Sequence, residues 1–201
     1  MAYFIRVLSP SPKAVAGPVL RAALAKDNLK ADLAGDAEDG SWGQLIVTYP
    51  DGKGICVIER DIVSEAGAAR FEIEELVEEV AGCQPESAAE WLATYLQSVL
   101  SIYALQVLGG AHERNGPDIV ACLKAAIWKT VGGIIQVDNE GFTNEDGDHI
   151  LWQFNEAVEG DGWMAVLDRG RWRKFRMDLG NAEHRASFLN GEVPPGLERA
   201  H

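Results

Sequence analysis

Two short links narrow the architectures open to this chain more than any other feature. Pro50-Asp51-Gly52-Lys53-Gly54 separates the run Leu45-Ile46-Val47-Thr48-Tyr49 from Ile55-Cys56-Val57-Ile58, and Asp168-Arg169-Gly170-Arg171 separates 163–167 from 172–177. Each link is a handful of turn residues between runs rich in β-branched and aromatic side chains, so each predicts a β-hairpin. The second half carries four strand candidates in quick succession, 134–137, 149–154, 163–167 and 172–177. Parallel neighbours need a crossover of about a dozen residues, so these short connections predict a four-stranded antiparallel meander.

Helical periodicity fills the rest. Tyr3 to Leu8 reads as an opening strand, after which Ser11-Pro12 supplies an N-cap and a first-turn proline for a helix over 12–26. Residues 29–34 are a strand candidate. Phe71, Ile73, Leu76, Val77 and Val80 mark an amphipathic helix with Glu72, Glu74, Glu75, Glu78 and Glu79 on its outer side. Ser87-Ala88-Ala89-Glu90 has the form of a capping box and predicts a long helix running to Gly109-Gly110. Pro117 opens a further helix that ends at Gly132-Gly133, and a short one covers 181–189. The expected fold is therefore α+β, with antiparallel or mixed sheets and about five helices. A first unit over 1–110 would run strand, helix, hairpin and two helices. A second over 117–190 would be a helix plus the meander, with 191–201 a flexible tail and 111–116 the boundary. A single compact domain is the alternative.

Composition bounds the setting. Of 201 residues, 47% are hydrophobic and 24% charged, which is a folded rather than a disordered chain. The opening apolar stretch is too short for a secretory leader, and no later one reaches the roughly 20 residues of a membrane span. Cys56, Cys83 and Cys122 are odd in number and far apart, which suits a reduced cytoplasm and three small apolar core residues. The 18 basic and 31 acidic residues give a formal charge of -13. Such a surface repels nucleic acid and anionic lipid and attracts a basic protein. The one basic cluster, Arg169, Arg171, Arg173, Lys174 and Arg176, is interleaved with Trp172 and Phe175. Pairing with the acidic helix at 72–79 accounts for it better than a polyanion does.

No motif carries a defined chemistry. The segment from Asp138 to His149 holds five carboxylates, yet it fails as a calcium loop. With Asn144, Asp146 and Asp148 at the first ligand positions, His149 stands where a glycine belongs and Asn155 where the closing glutamate belongs. Turn residues between two strands account for the segment, and no metal or other cofactor is expected. A hydrolase would have to assemble Glu59, Asp61, Glu140 and His149, the one histidine set among carboxylates. A small-molecule binder would use Trp128, Trp152 and Gln153 in an aromatic groove. A non-catalytic binding protein, such as the acidic partners that neutralise toxins, would use Glu72, Glu75 and Glu79. The absence of a catalytic constellation favours this last reading.

The segments Val57-Ile58-Glu59-Arg60-Asp61, Ser101-Ile102-Tyr103-Ala104-Leu105-Gln106, Glu140-Gly141-Phe142-Thr143-Asn144-Glu145-Asp146-Gly147, Ile150-Leu151-Trp152-Gln153-Phe154 and Met177-Asp178-Leu179-Gly180 give the chain a likeness over nearly all its length. It resembles a group of uncharacterised bacterial proteins of about this length. That resemblance implies a bacterial cytoplasmic setting and transfers no activity and no functional residue.

Overall fold

The computed structural model describes residues 3–35, 40–65, 67–153 and 158–197. Among them are five α-helices and ten strands in an α+β arrangement. The chain divides into two compact units, each discontinuous in sequence: residues 1–70 with 99–134, and residues 71–98 with 135–201. Residues 111–116, read from the sequence as a boundary, lie inside the first unit.

In the first unit, β1 (Tyr3–Ser9) pairs with β5 (Ser101–Val107), which pairs with β4 (Gly54–Ile62). Next come β3 (Gln44–Thr48) and β2 (Asp32–Ala34), and every one of these pairings is antiparallel. The hairpin expected at 50–54 is the β3–β4 turn. Helices α1 (Gly17–Lys26) and α4 (Gly116–Val131) pack together and bury Leu20, Leu24, Ile119, Leu123 and Ile127. The 3₁₀ turn Gly109–His112 and the residues after it are tied to the β3–β4 turn. Tyr49 Oη donates to the Glu113 carbonyl at 2.6 Å, Lys53 pairs with Glu113 at 2.6 Å, and Arg114 pairs with Asp51 at 3.0 Å.

Two helix expectations are corrected here. Residues 101–107, read as the end of a long helix, are a strand, and α3 stops at Leu96 (Glu86–Leu96). Five consecutive residues of β5 from Ser101 are buried, so the strand is covered on both faces. A strand buried on both faces reads as a continuous apolar run, which periodicity cannot tell from a buried helix. Leu100 N–H also donates to the Ser9 carbonyl, aligning the segment with β1. The expected capping box is absent too: Pro85 is the N-cap of α3, and Ser87 lies within its first turn.

The first helix starts at Gly17 and not at Pro12, for a reason written in four hydrogen bonds. Ser101 Oγ donates to the Ser11 carbonyl at 2.7 Å, and Arg60 Nη2 to that of Pro12 at 3.1 Å. Tyr103 Oη donates to the Lys13 carbonyl at 2.9 Å, and Trp42 Nε1 to that of Val15 at 2.7 Å. Side chains from β4, β5 and the loop before β3 thus occupy the carbonyls that a helix would have used, and 11–16 runs as a strap. Pro18 then provides the helix-opening proline.

The second unit holds α2 (Ala68–Val80) from Phe71 onward, α3, and the strands β6 (Ile134–Val137), β7 (Gly141–Thr143), β8 (His149–Trp152), β9 (Asp161–Asp168) and β10 (Arg171–Asp178). The β9–β10 hairpin turns where expected. The meander gains a strand, β7, from a segment read as pure turn. It is also not antiparallel throughout, because β8 pairs with β9 in parallel through His149 and Met164. Of the connection over 153–160, residues 154–157, among them the predicted strand end Phe154 and Asn155, fall outside the described residues. Met164, Val166, Phe175, Met177 and Leu179 form a core with Phe188 of α5 (Ala182–Leu189). Asn181 caps α5, its side-chain oxygen accepting from the Glu183 and His184 amides. Val193 and Leu197 pack on the same core, so the expected loose tail is anchored that far. Among the described residues, no helix is long and apolar enough to cross a membrane.

Candidate functional site

The sequence-derived residues fall into separate surroundings. Glu59 and Asp61 are exposed on one face of β4 and Arg60 is half-buried on the other, as strand alternation requires. Glu59 accepts a hydrogen bond from Gln44 Nε2 at 2.9 Å across the β3–β4 pair. Arg60 is engaged by the strap and by the face of Tyr103, 5.9 Å from the ring centroid. Trp128 also belongs to the first unit, where its indole N–H donates to the Gly133 carbonyl at 2.6 Å and closes the end of α4.

Glu140, His149, Trp152, Gln153, Glu72, Glu75 and Glu79 belong to the second unit. The His149 ring meets the Trp152 indole edge-on at 4.1 Å, and Trp152 packs on the core around Phe175. Gln153 Nε2 donates to Glu79 Oε1 at 3.5 Å, linking the end of β8 to α2.

The polar 138–149 segment turns its chemistry inward. Asn144 is buried, and its Oδ1 accepts the amides of Asp146 at 3.0 Å and Asp148 at 2.9 Å. Its own amide donates to the Asp148 carbonyl. The Asp148 side chain, 3% exposed, pairs with Lys174 at 2.7 Å, and Lys174 lies over the Trp163 ring at 4.5 Å. Nearby on α3, burial raises the Tyr95 phenol above the ordinary tyrosine range, and the Glu145 carboxylate adds to the rise. Among the described residues, no group of three or more His, Cys, Asp and Glu side chains is placed to hold a metal ion.

The basic hairpin finds counterions in its own neighbourhood. Arg173 pairs with Asp168 at 3.3 Å, Arg176 with Asp161 at 3.2 Å and Lys174 with Asp148. Asp161 and Asp168 belong to β9 and Asp148 to the turn before β8, so these three pairs are not made with the α2 glutamates expected from the sequence. Aspartate is short and strand-end positions lie within one side-chain length, so local pairing wins. Trp172 meets Trp91 of α3 edge-on at 5.1 Å and does not stand out as a stacking platform.

Among the described residues, α2 presents an exposed acidic face. Ile73, Leu76 and Val80 are buried, whereas Glu74, Glu75, Glu78 and Glu79 are exposed. Phe71 is 63% exposed, well beyond any other large hydrophobic side chain described. Phe71, Glu74, Glu75 and Glu78 follow i, i+3, i+4, i+7 and so share one helical face. Sequence reasoning assigned Phe71 to the core, because its place at the head of an apolar series hid the fact that it stands two residues before Ile73 and off the buried stripe.

Only one cysteine, Cys56, is the core residue expected of all three; Cys83 and Cys122 are half-buried. Cys83 borders a cavity at the α2–α3 turn, and Cys122 a larger one between α1 and α4. A third, small and mostly apolar, lies beside His112 and Lys124. None of these three cavities is lined by a tryptophan.

No protein-family model, no curated protein and no solved structure matches this chain.

Proposed function

We propose that this protein is a non-catalytic, acidic binding protein of the cytoplasm whose contact element is the solvent face of α2, and that its partner is a basic protein. The supporting observation is where α2 carries its charge. A helix end is stabilised by acidic groups in its first turn and basic groups in its last. This helix has neither, and Glu78 and Glu79 stand in its final turn beside the negative end of the dipole. Glu74 with Glu78, and Glu75 with Glu79, are like-charge pairs at i, i+4, each costing about 0.2–0.5 kcal/mol. The arrangement weakens the isolated helix. It concentrates negative potential around one exposed aromatic ring, which is the composition of a charge-steered contact with an apolar anchor. The half-buried and buried thiols, none in a disulfide, are consistent with a reducing compartment.

The test is affinity capture with the intact protein and with two variants, Phe71→Ala and Glu75→Gln/Glu78→Gln/Glu79→Gln. A basic protein should be retained by the wild type, released by salt, and retained about fivefold less by the charge variant, since rim charges act on association and on salt dependence. Equal recovery by all three proteins would refute the assignment to α2.

A further inference from the structure

The cavity between α1 and α4 has a volume of about 620 Å³, within the range of small-molecule sites. Val19, Ala23 and Ala126 are among its lining residues, together with Lys13, Lys26 and Lys129. Three ammonium groups about one groove are out of keeping with a chain of net charge -13. Lys26 and Lys129 each lie in the last turn of a helix, where the dipole alone favours a cation. That accounts for each lysine singly but not for an open apolar trough between them.

The groove has a direction. Ser9, just before the strap, donates through Oγ to the Val131 carbonyl at the end of α4, while Cys122, two turns earlier on α4, neighbours Asp27 at the end of α1. The two helices therefore run in opposite senses, and seven residues of helix place Lys129 and Cys122 about 10 Å apart along the trough. Lys129 shares its end with Lys13, whose backbone is pinned by the Tyr103 hydroxyl. The opposite end holds Lys26 and Asp27, which offset each other. One end thus has two positive charges, the other none in balance, and the path between is alanine and valine.

We propose that this groove binds a linear amphipathic anion, a medium- or long-chain carboxylate, with its head between Lys13 and Lys129 and its chain over Val19, Ala23 and Ala126 toward Cys122. Small side chains at 23, 125 and 126 leave the room, and the apolar chain recovers the burial that those alanines forgo. This site lies in the first unit and is independent of the α2 contact.

The test uses dodecanoate, below its micellar concentration, on the intact protein. Equilibrium dialysis should give one saturable site. Dodecanoate should also slow alkylation of Cys122 while leaving Cys83 at its own rate, both read by peptide mass spectrometry. Lys13→Gln/Lys129→Gln should raise the dodecanoate concentration needed for both effects about tenfold, about 1.4 kcal/mol, and dodecanol should protect Cys122 no better in the wild type than in the variant. Lys26→Gln should change little. Absence of a saturable site, equal protection by dodecanol and dodecanoate, or an unchanged response in the double lysine variant would each overturn the proposal. Both lysines are exposed, so their replacement does not threaten folding.

Discussion

Asn144→Ala is the most incisive change available in the polar segment, because one buried side chain there organises two backbone groups. Asn144 is 1% exposed, and its Oδ1 is the acceptor for the amides of Asp146 and Asp148. The two losses differ in size. Asp148 is itself 2% exposed, so its amide is left without acceptor or water and costs about 1–3 kcal/mol. Asp146 is exposed, and its amide exchanges a protein acceptor for solvent at about 0.5–1 kcal/mol. Against these stands a small return, since the Asn144 Nδ2 is buried without a partner and disappears with the side chain. The net expectation is about 2 kcal/mol of destabilisation, a sizeable part of a stability of about 5–15 kcal/mol. Asn144→Asp retains both acceptor contacts, removes the unsatisfied donor and adds a charge near Glu145 and Asp148, so it should fall between Ala and wild type. Urea unfolding followed by tryptophan fluorescence gives the stability change, and hydrogen exchange gives the local effect as faster exchange at the Asp148 amide. If Ala and wild type unfold at the same midpoint, or if Asp proves worse than Ala, the side chain does not hold the segment as described.

Other expectations follow from the same structure. Lys174→Met removes the counterion of the 3% exposed Asp148 carboxylate and should destabilise by about 1–3 kcal/mol, less than a fully buried pair because Lys174 is 43% exposed; combined with Asn144→Ala it should be non-additive in a double-mutant cycle, since both act on one loop. Gly133→Ala should leave little folded first unit by circular dichroism, because its φ is +100° and a Cβ there would strike the Leu8 carbonyl. Burial pushes the Cys56 thiol from 9.0 up to about 12. A raised folded-state value means stability that is whole below pH 9 and falls as pH climbs from 9 toward 12, by up to about 4 kcal/mol; Cys56→Ala should flatten that part of the pH profile measured by urea unfolding. Glu78→Gln should raise stability by about 0.3–1 kcal/mol by relieving the dipole and the Glu74 repulsion, and weaken capture of the basic partner at the same time.

Local signals were legible where one force decided the outcome. The two hairpins, the helix opened by Pro117 and the helix over 182–189 rest on turn residues and caps that no tertiary contact overrides. The misread segments share a cause of another kind. The strap at 11–16 has good helix-start residues, but Ser101, Arg60, Tyr103 and Trp42 compete for its carbonyls, and their proximity is a property of the assembled sheet. Residues 101–107 look helical for lack of alternation, which is what a strand covered on both faces must look like. For the site residues, spacing could say that Glu75 and Glu79 point away from the core, though not that Glu72, on the same expected outer side, would be half-buried. It could not say that Asp148 would be buried against Lys174, because that depends on a parallel β8–β9 contact through a single residue pair. The α1–α4 groove was hidden for a simpler reason: alanines that leave a trough look, in sequence, the same as alanines that fill a core.

The two charged surfaces differ in a way that bears on the proposed contact. On the β9–β10 hairpin, Arg173, Lys174 and Arg176 are paired with Asp168, Asp148 and Asp161, so a partner engaging these three would have to break ion pairs already made. On α2, Glu74 with Glu78 and Glu75 with Glu79 stand at i, i+4, and Glu78 and Glu79 stand at the negative end of the dipole. A cation arriving at α2 therefore gains its own attraction and relieves the repulsion already present, while one arriving at the hairpin gains neither. On the proposed reading, relief of this repulsion is a gain that a basic partner would have and a neutral one would not. On the reading proposed above, substitutions that make α2 a better helix, such as Glu78→Gln, should therefore weaken its contact with a basic partner as they stabilise the protein.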